Sequence, residues 1–162
     1  MADFEAAVTK TIRREGGDAI TEDPDDPGGL TRFGISKRAH PEIDPRNLTL
    51  ESAKAIYRKD YWNPLEGDSI TSQAIAETLF DTAVNMGVAQ AVRLAQVVLG
   101  QLADGNVGPA TLDALNAADP REFQAAFLIA KTARYMAIIK KNRKLEKFLY
   151  GWLVRAFEVG GV

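Results

Sequence analysis

The sequence predicts a mainly α-helical globule of about seven helices, with one small β-hairpin near residues 18–35. Three observations lead there. Apolar residues recur at helical rather than strand spacing through most of the chain. Ser, Thr, Asp, Pro and Gly interrupt these stripes where helices are expected to start and stop. One stretch is crowded with turn formers, Pro24, Asp25, Asp26, Pro27, Gly28 and Gly29. It lies between two short segments able to pair, Ala19-Ile20-Thr21 and Leu30-Thr31-Arg32-Phe33.

Phe4, Val8 and Ile12 set a helix over residues 3–14, and the pair Gly16-Gly17 stops it, because glycine adopts the positive φ that ends a helix sharply. After the turn region and Pro41 to Pro45, Thr49 caps a helix to about Lys59, with Leu50, Ala53, Ile56 and Tyr57 inside; Tyr61-Trp62-Asn63-Pro64 ends it. Ser72 opens a stronger helix to about Met86, striped by Ile75, Leu79, Ala83 and Met86 and stopped at Gly87. A helix through Val92 and Leu99 ends at Gly100. Asp104-Gly105-Asn106-Val107-Gly108-Pro109 is a tight turn, and Pro109 suits the first turn of a short helix to about Asn116. Asp119-Pro120 starts a long helix to about residue 139 bearing Phe123, Phe127, Ala130 and Tyr135. A last helix, 143–158, presents Leu145, Leu149, Trp152, Leu153 and Ala156. There is no internal repeat or linker, so 162 residues with 46% hydrophobic composition predict a single compact domain with one core.

Composition excludes several chemistries. With no cysteine there is no disulfide, zinc–thiolate site or thiol nucleophile. His40, the single histidine, sits in the turn-like Ala39-His40-Pro41-Glu42 and reads as a surface residue, which leaves histidine triads and multi-histidine metal sites without support. No ligand cluster suggests a metal or an organic cofactor; Asp23, Asp25 and Asp26 would attract a calcium ion only adventitiously. No apolar run is long enough to insert in a membrane, and the start Met-Ala-Asp-Phe-Glu has no signal-peptide pattern, so cytoplasmic synthesis is expected.

The net charge of −2 hides an asymmetry. Asp18, Glu22, Asp23, Asp25 and Asp26 follow Glu15 with no base among them, whereas Lys131 to Arg155 carries eight cations against Glu146 alone. A basic surface beside an acidic cleft suits an anionic polymer, although a solvated helix face is the plainer reading. No recognition motif or phosphate loop accompanies the lysines, so nucleic acid is not the expected partner.

Glu15 is the first candidate for chemistry. It follows Ile12 by three positions, so it points inward from a helix end, and the two glycines after it leave room for a ligand. Apolar surroundings disfavour the charged form of an acid, which is what a general acid near neutral pH needs; the bland reading is a buried, hydrogen-bonded helix-end glutamate. Further polar candidates are Asp26 and Thr31 in the hairpin region. Asp81 and Asn85 lie four apart on one helix face, and Asp81 would serve equally well as the partner of a base such as Arg155. The pair Tyr61-Trp62 suits stacking on sugar faces, although a Trp beside a proline at a helix end also suits the core.

The ordered set Glu15-Gly16-Gly17, Asp26-Pro27-Gly28-Gly29-Leu30-Thr31, Phe33-Gly34-Ile35, Tyr57, Tyr61-Trp62, Phe80-Asp81 and Val84-Asn85-Met86-Gly87 resembles the glycoside hydrolase family 108 muramidases. These are lysozyme-like enzymes of phage endolysins and bacterial wall-lytic proteins. Leu99-Gly100 and Asp104-Gly105-Asn106-Val107-Gly108-Pro109-Ala110-Thr111 are similar to the predicted peptidoglycan-binding segment attached to that family. The resemblance implies a lysozyme-like fold with a catalytic lobe over about 1–88 and a helical peptidoglycan-binding-like lobe over about 89–162. It also implies cleavage of the β-1,4 bond between N-acetylmuramic acid and N-acetylglucosamine in peptidoglycan glycan strands, with Glu15 as proton donor. One departure stands out: the family's aromatic residue, usually tyrosine, is Asp18 here, which places another negative charge near Glu15.

Glycosidases usually pair two carboxylates. Asp26 and Thr31, positioning a water for attack, complete the expected set, with Tyr61, Trp62, Asp81 and Asn85 as substrate-binding residues. A lytic transglycosylase giving 1,6-anhydro products and a non-catalytic wall-binding module are the competing readings. A monomer is expected, acting on the cell wall after holin-type or specialised release.

Overall fold

The structure is a computed structural model that describes residues 1–22 and 29–159. Seven α-helices carry it: α1 (Phe4–Arg14), α2 (Leu50–Tyr57), α3 (Gln73–Met86), α4 (Val88–Val98), α5 (Pro109–Ala117), α6 (Pro120–Lys141) and α7 (Leu149–Val159). The strands β1 (Thr31–Arg32) and β2 (Ile35–Ser36) form an antiparallel pair with Thr31 opposite Ser36 and Arg32 opposite Ile35.

The caps act where the sequence places them. The Asp3 carboxylate accepts from the N–H of Glu5 and Ala6, Thr49 and Ser52 form a reciprocal capping box, and Ser72 and Asp119 cap α3 and α6. The hairpin lies slightly downstream of its expected position. Thr21 meets Thr31 through a single pair of backbone hydrogen bonds, while the strand pair itself closes through Phe33 and Gly34, both at positive φ (53° and 76°). Two central residues at positive φ match the twist of a two-residue hairpin, and burial of the Phe33 ring offsets the strain of that conformation.

Two helix ends differ from expectation. The helical path of α2 does not stop at Tyr61 but continues as a π turn over Arg58–Trp62 and a 3-10 turn over Asn63–Leu65, ending at Glu66 with φ 52°. This widened turn swings Trp62 into the core. The last helix begins at Leu149 rather than 143, and residues Arg143–Phe148 form 3-10 turns instead. Arg143, Lys144 and Lys147 fall where the positive end of a helix dipole would repel them. Leu50, expected inside, is 44% exposed at the first position of α2.

A continuous core joins the first and second halves of the chain. Phe4, Trp62 and Phe80 meet edge to face with ring centroids 5.5–6.1 Å apart, and α4 and α6 extend the same core through Val92, Phe123 and Phe127. The Asp104-Gly105-Asn106 turn is fixed from inside by Gln96, 1% exposed, whose amide donates to Asp104, Asn106 and Thr111 and accepts from the Gly105 N–H. None of the described helices is long and apolar enough to cross a membrane.

Candidate active site

Glu15 stands at the end of α1, and the two glycines build that end. The Gly17 N–H donates to Ile12 O at 2.9 Å and the Gly16 N–H to Arg13 O at 3.4 Å, with Gly16 and Gly17 at φ 97° and 63°. This is the Schellman arrangement, which stops the helix within one residue of Glu15. The chain then turns back toward the hairpin: the Phe33 N–H donates to Gly17 O at 3.1 Å, and the Tyr57 hydroxyl donates to Phe33 O at 2.9 Å.

Gly34 closes this contact. A Cβ there would fall 2.5 Å from the Tyr57 hydroxyl and 2.7 Å from Glu15 Cβ, so only glycine lets the hairpin tip rest on the stem of the glutamate. Tyr57 and Tyr61 bracket the same space, their rings 5.8 Å apart. Burial, and then the charge of Glu15, push the Tyr57 hydroxyl well above its ordinary pKa. Tyr61 is raised by burial, by Asp60 and by Glu15. Both phenols therefore stay neutral hydrogen-bonding groups beside Glu15.

The carboxylate does not meet the apolar surroundings expected of it. Arg155 Nη1 of α7 lies 2.6 Å from Glu15 Oε1, and the Glu15 side chain remains 24% exposed. The same guanidinium turns its other edge to Asp81 of α3, with Nη2 donating to Oδ1 at 2.9 Å and Nε to Oδ2 at 3.1 Å. Asp81 is 1% exposed and draws two more cations, Arg14 at 3.6 Å and Lys131 at 3.7 Å. Burial opposes the charge on Arg155, but Asp81 and then Glu15 outweigh it and raise its pKa. For Lys131 burial wins, and its pKa falls to about 8 despite Asp81.

Glu15 is thus a partly open carboxylate fixed by a helix end, a hairpin tip and a half-buried arginine. Residues 8–87 around it match the family model described as glycosyl hydrolase 108. The first half of the chain is a glycosyl hydrolase 108 domain. Residues 90–157 match a predicted peptidoglycan domain. The solved structure of Brucella abortus SagA aligns over 98% of this chain and 91% of its own, with a TM-score of 0.80 and 28% identity. No curated protein matches the chain. The family assignments make it a glycoside hydrolase with a peptidoglycan-related lytic function.

Within the glycosyl hydrolase 108 domain, the expected site residues separate. Thr31 lies in β1, two residues before Phe33, paired through its backbone with Thr21 and with its hydroxyl donating to Gly29 O at 3.2 Å. Asp26 lies outside the described residues, as do Asp23 and Asp25. Tyr61 is half-buried beside Tyr57.

Trp62 is not a sugar platform. It is fully buried, donates Nε1 to Asp68 at 2.8 Å, and packs so closely on Gly67 that any Cβ there would collide with the indole. Asp81 is not a substrate ligand either, because its oxygens are taken up by Arg155. Asn85, one turn further along α3, is exposed and accepts from the Tyr135 hydroxyl at 3.1 Å. His40 is not a free surface residue, since its ring sits 3.5 Å from Glu42 and 3.7 Å from Asp60.

Arg155 as the partner of Glu15 is what sequence reasoning missed. The signal was an arginine between Trp152 and Ala156 on the inward stripe of α7. Lys131 carries a similar signal, spaced four residues from both Phe127 and Tyr135 on α6. Lys131 belongs to the interior and the half-buried Arg155 turns toward it, rather than both joining the basic surface expected over residues 131–155.

Proposed function

We propose that the protein hydrolyses the β-1,4 bond between N-acetylmuramic acid and N-acetylglucosamine, with Glu15 as the general acid. The observation that carries this reading is the Glu15 carboxylate itself, partly exposed and held at a helix end on the glycosyl hydrolase 108 side of the chain. In the proposed step Glu15 gives its proton to the glycosidic oxygen as the bond from the muramic C1 to that oxygen breaks. A water adds to C1, and its proton passes to the base.

Asp26 is the base in this reading, and the Thr31 hydroxyl orients the water. The approach of the hairpin tip to the acid, through the Phe33 to Gly17 hydrogen bond and Gly34 against the Glu15 stem, supports a role for Thr31 in the adjoining strand. A water between two carboxylates calls for roughly 6.5–9.5 Å between them and gives inversion at C1. Retention in the first-formed product, read by NMR, would sink that part of the proposal.

Arg155 is the positioning residue. It fixes the Glu15 side chain, and its fork to Asp81 keeps it in place when Glu15 takes up a proton, so the guanidinium is not left without a partner. The test is mass spectrometry of borohydride-reduced fragments released from purified peptidoglycan by the wild type and by Glu15→Gln. Fragments ending in reduced muramic acid, absent with the variant, are expected. Anhydro ends would make the protein a transglycosylase, and no release by folded wild type would leave a binding module.

A further inference from the structure

A cavity of about 200 Å³ opens among the ends of α3, α4, α6 and α7, lined by Asn85, Gln90, Arg134, Tyr135 and Trp152 together with Met86 and Ile138. It lies one helical turn beyond the charged cluster that holds Glu15. On α3 the step from Asp81 to Asn85 is four residues, on α6 Lys131 to Tyr135 is four, and on antiparallel α7 Arg155 to Trp152 is three. Each corresponds to a rise of roughly 5 Å. The cavity straddles the junction between the two family matches, with Asn85 before it and Gln90 after it.

Its chemistry points to an anionic acyl-amide. Arg134 lines the cavity with its Nε buried and without a hydrogen-bond partner, and no carboxylate pairs with it among the described residues. With Nε covered by protein, the Nη nitrogens, which carry no carboxylate among the described residues, are the groups that can meet a ligand anion as a fork. The indole of Trp152 stacks on Tyr135 with ring centroids 5.1 Å apart, which gives the cavity a rigid aromatic wall. The Tyr135 hydroxyl fixes Asn85 by donating to its oxygen, leaving the side-chain NH₂ as a donor, and Gln90 supplies a second amide.

The volume is below the ~300–1,000 Å³ usual for a whole small-molecule site. It therefore fits one substituent of a longer ligand rather than a run of sugars. We infer that this cavity takes the carboxylate-bearing peptide stem of the peptidoglycan strand, with Arg134 on a stem carboxylate, Asn85 and Gln90 on its amides, and Trp152 covering its apolar face. The inference rests on peptidoglycan being the substrate of the Glu15 site, and it assigns the second half of the chain a contact with the peptide rather than with the glycan.

The test uses full-length ¹⁵N-labelled Glu15→Gln protein, which binds without turning ligand over. It is titrated with a soluble disaccharide-peptide and, separately, with a peptide-free N-acetylglucosamine oligomer. The disaccharide-peptide is expected to move the side-chain amide signals of Asn85 and Gln90 and the indole N–H of Trp152. Adding Arg134→Gln is expected to lower the ratio of the two affinities by about tenfold or more. Gln90→Ala, a milder change, should lower that ratio in the same direction. An unchanged ratio in both variants, or shifts confined to other residues, overturns the inference. Fragment release by wild type separates the two claims: release with an unchanged ratio removes only the peptide pocket, while pocket shifts without release remove only the hydrolase reading.

Discussion

The end of α1 and the middle of α3 each present one carboxylate to the same arginine, and the two regions treat it in opposite ways. Asp81 is closed off, bound along both edges by Arg155 and approached by Arg14 and Lys131. Glu15 keeps about a quarter of its side chain open and meets Arg155 through a single guanidinium nitrogen. Burying a charge is tolerable only when it is fully paired, so Asp81 serves to hold helices together. The difference teaches that accessibility, not proximity to a cation, marks the group available for chemistry.

The largest expected effect breaks the comparison at Glu15. Glu15→Gln keeps shape and polarity but removes the transferable proton, so the rate of fragment release should fall by about 10²- to 10⁴-fold. Its thermal midpoint should stay close to wild type, because Arg155 retains Asp81. A variant that keeps near-full activity would assign the chemistry elsewhere.

The converse change at Asp81 should act on stability. Asp81→Asn leaves Arg155, Lys131 and Arg14 without their shared anion in a buried site, at a cost of about 3–5 kcal/mol in urea unfolding. A loss below about 1 kcal/mol would mean that the cluster is better hydrated than its burial indicates.

Legibility in the sequence follows the same division between local and distant causes. The end of α1 was readable because Glu15, Gly16 and Gly17 determine it among themselves, and the caps at Asp3, Thr49, Ser72 and Asp119 were readable for the same reason. Asp81 was recognisable as inward-facing, with Arg155 a possible partner. The bridging of Arg155 to Glu15 was not, because it depends on how α7 packs against α1 across the whole chain. Trp62 was misplaced because the widened turn over Arg58–Trp62 rotates it inward, an effect that helical periodicity alone does not predict. Gly34 stood in a recognisable motif, but its reason, contact with Glu15 Cβ and the Tyr57 hydroxyl, exists only after folding.

Arg155 itself sharpens the comparison, since it serves both carboxylates. Arg155→Met removes the cation, and Arg155→Lys keeps charge but loses the fork that reaches Glu15 and Asp81 together. Activity should fall by roughly tenfold in the lysine variant and further in the methionine variant, from lost orientation. The split between kcat and KM separates positioning from mere packing: Arg155→Met should lower kcat with KM little changed, and Arg155→Lys should recover part of the loss. Equal loss of stability in both variants with kcat unmoved would reduce Arg155 to a structural role.

The smallest effect tests the closed side of the comparison at Lys131. Burial lowers its pKa from 10.5 to about 8, whereas the unfolded chain keeps the ordinary value. Between about pH 8 and 10 the unfolded state therefore binds more protons than the folded one, and stability contributed by this site rises with pH. Below pH 8 both states are charged and the cost of burying the ammonium is fully felt. Tyr57, with its raised pKa, pulls stability down above about pH 10, but it does so equally in wild type and in Lys131→Met. The quantity to measure is therefore the stability difference between the two proteins. Lys131→Met should gain most relative to wild type near pH 7, and that advantage should shrink by roughly 1–3 kcal/mol by pH 10. A difference independent of pH would mean that Asp81 compensates the lysine fully, making the closed carboxylate a true ion pair with Lys131 as well as with Arg155.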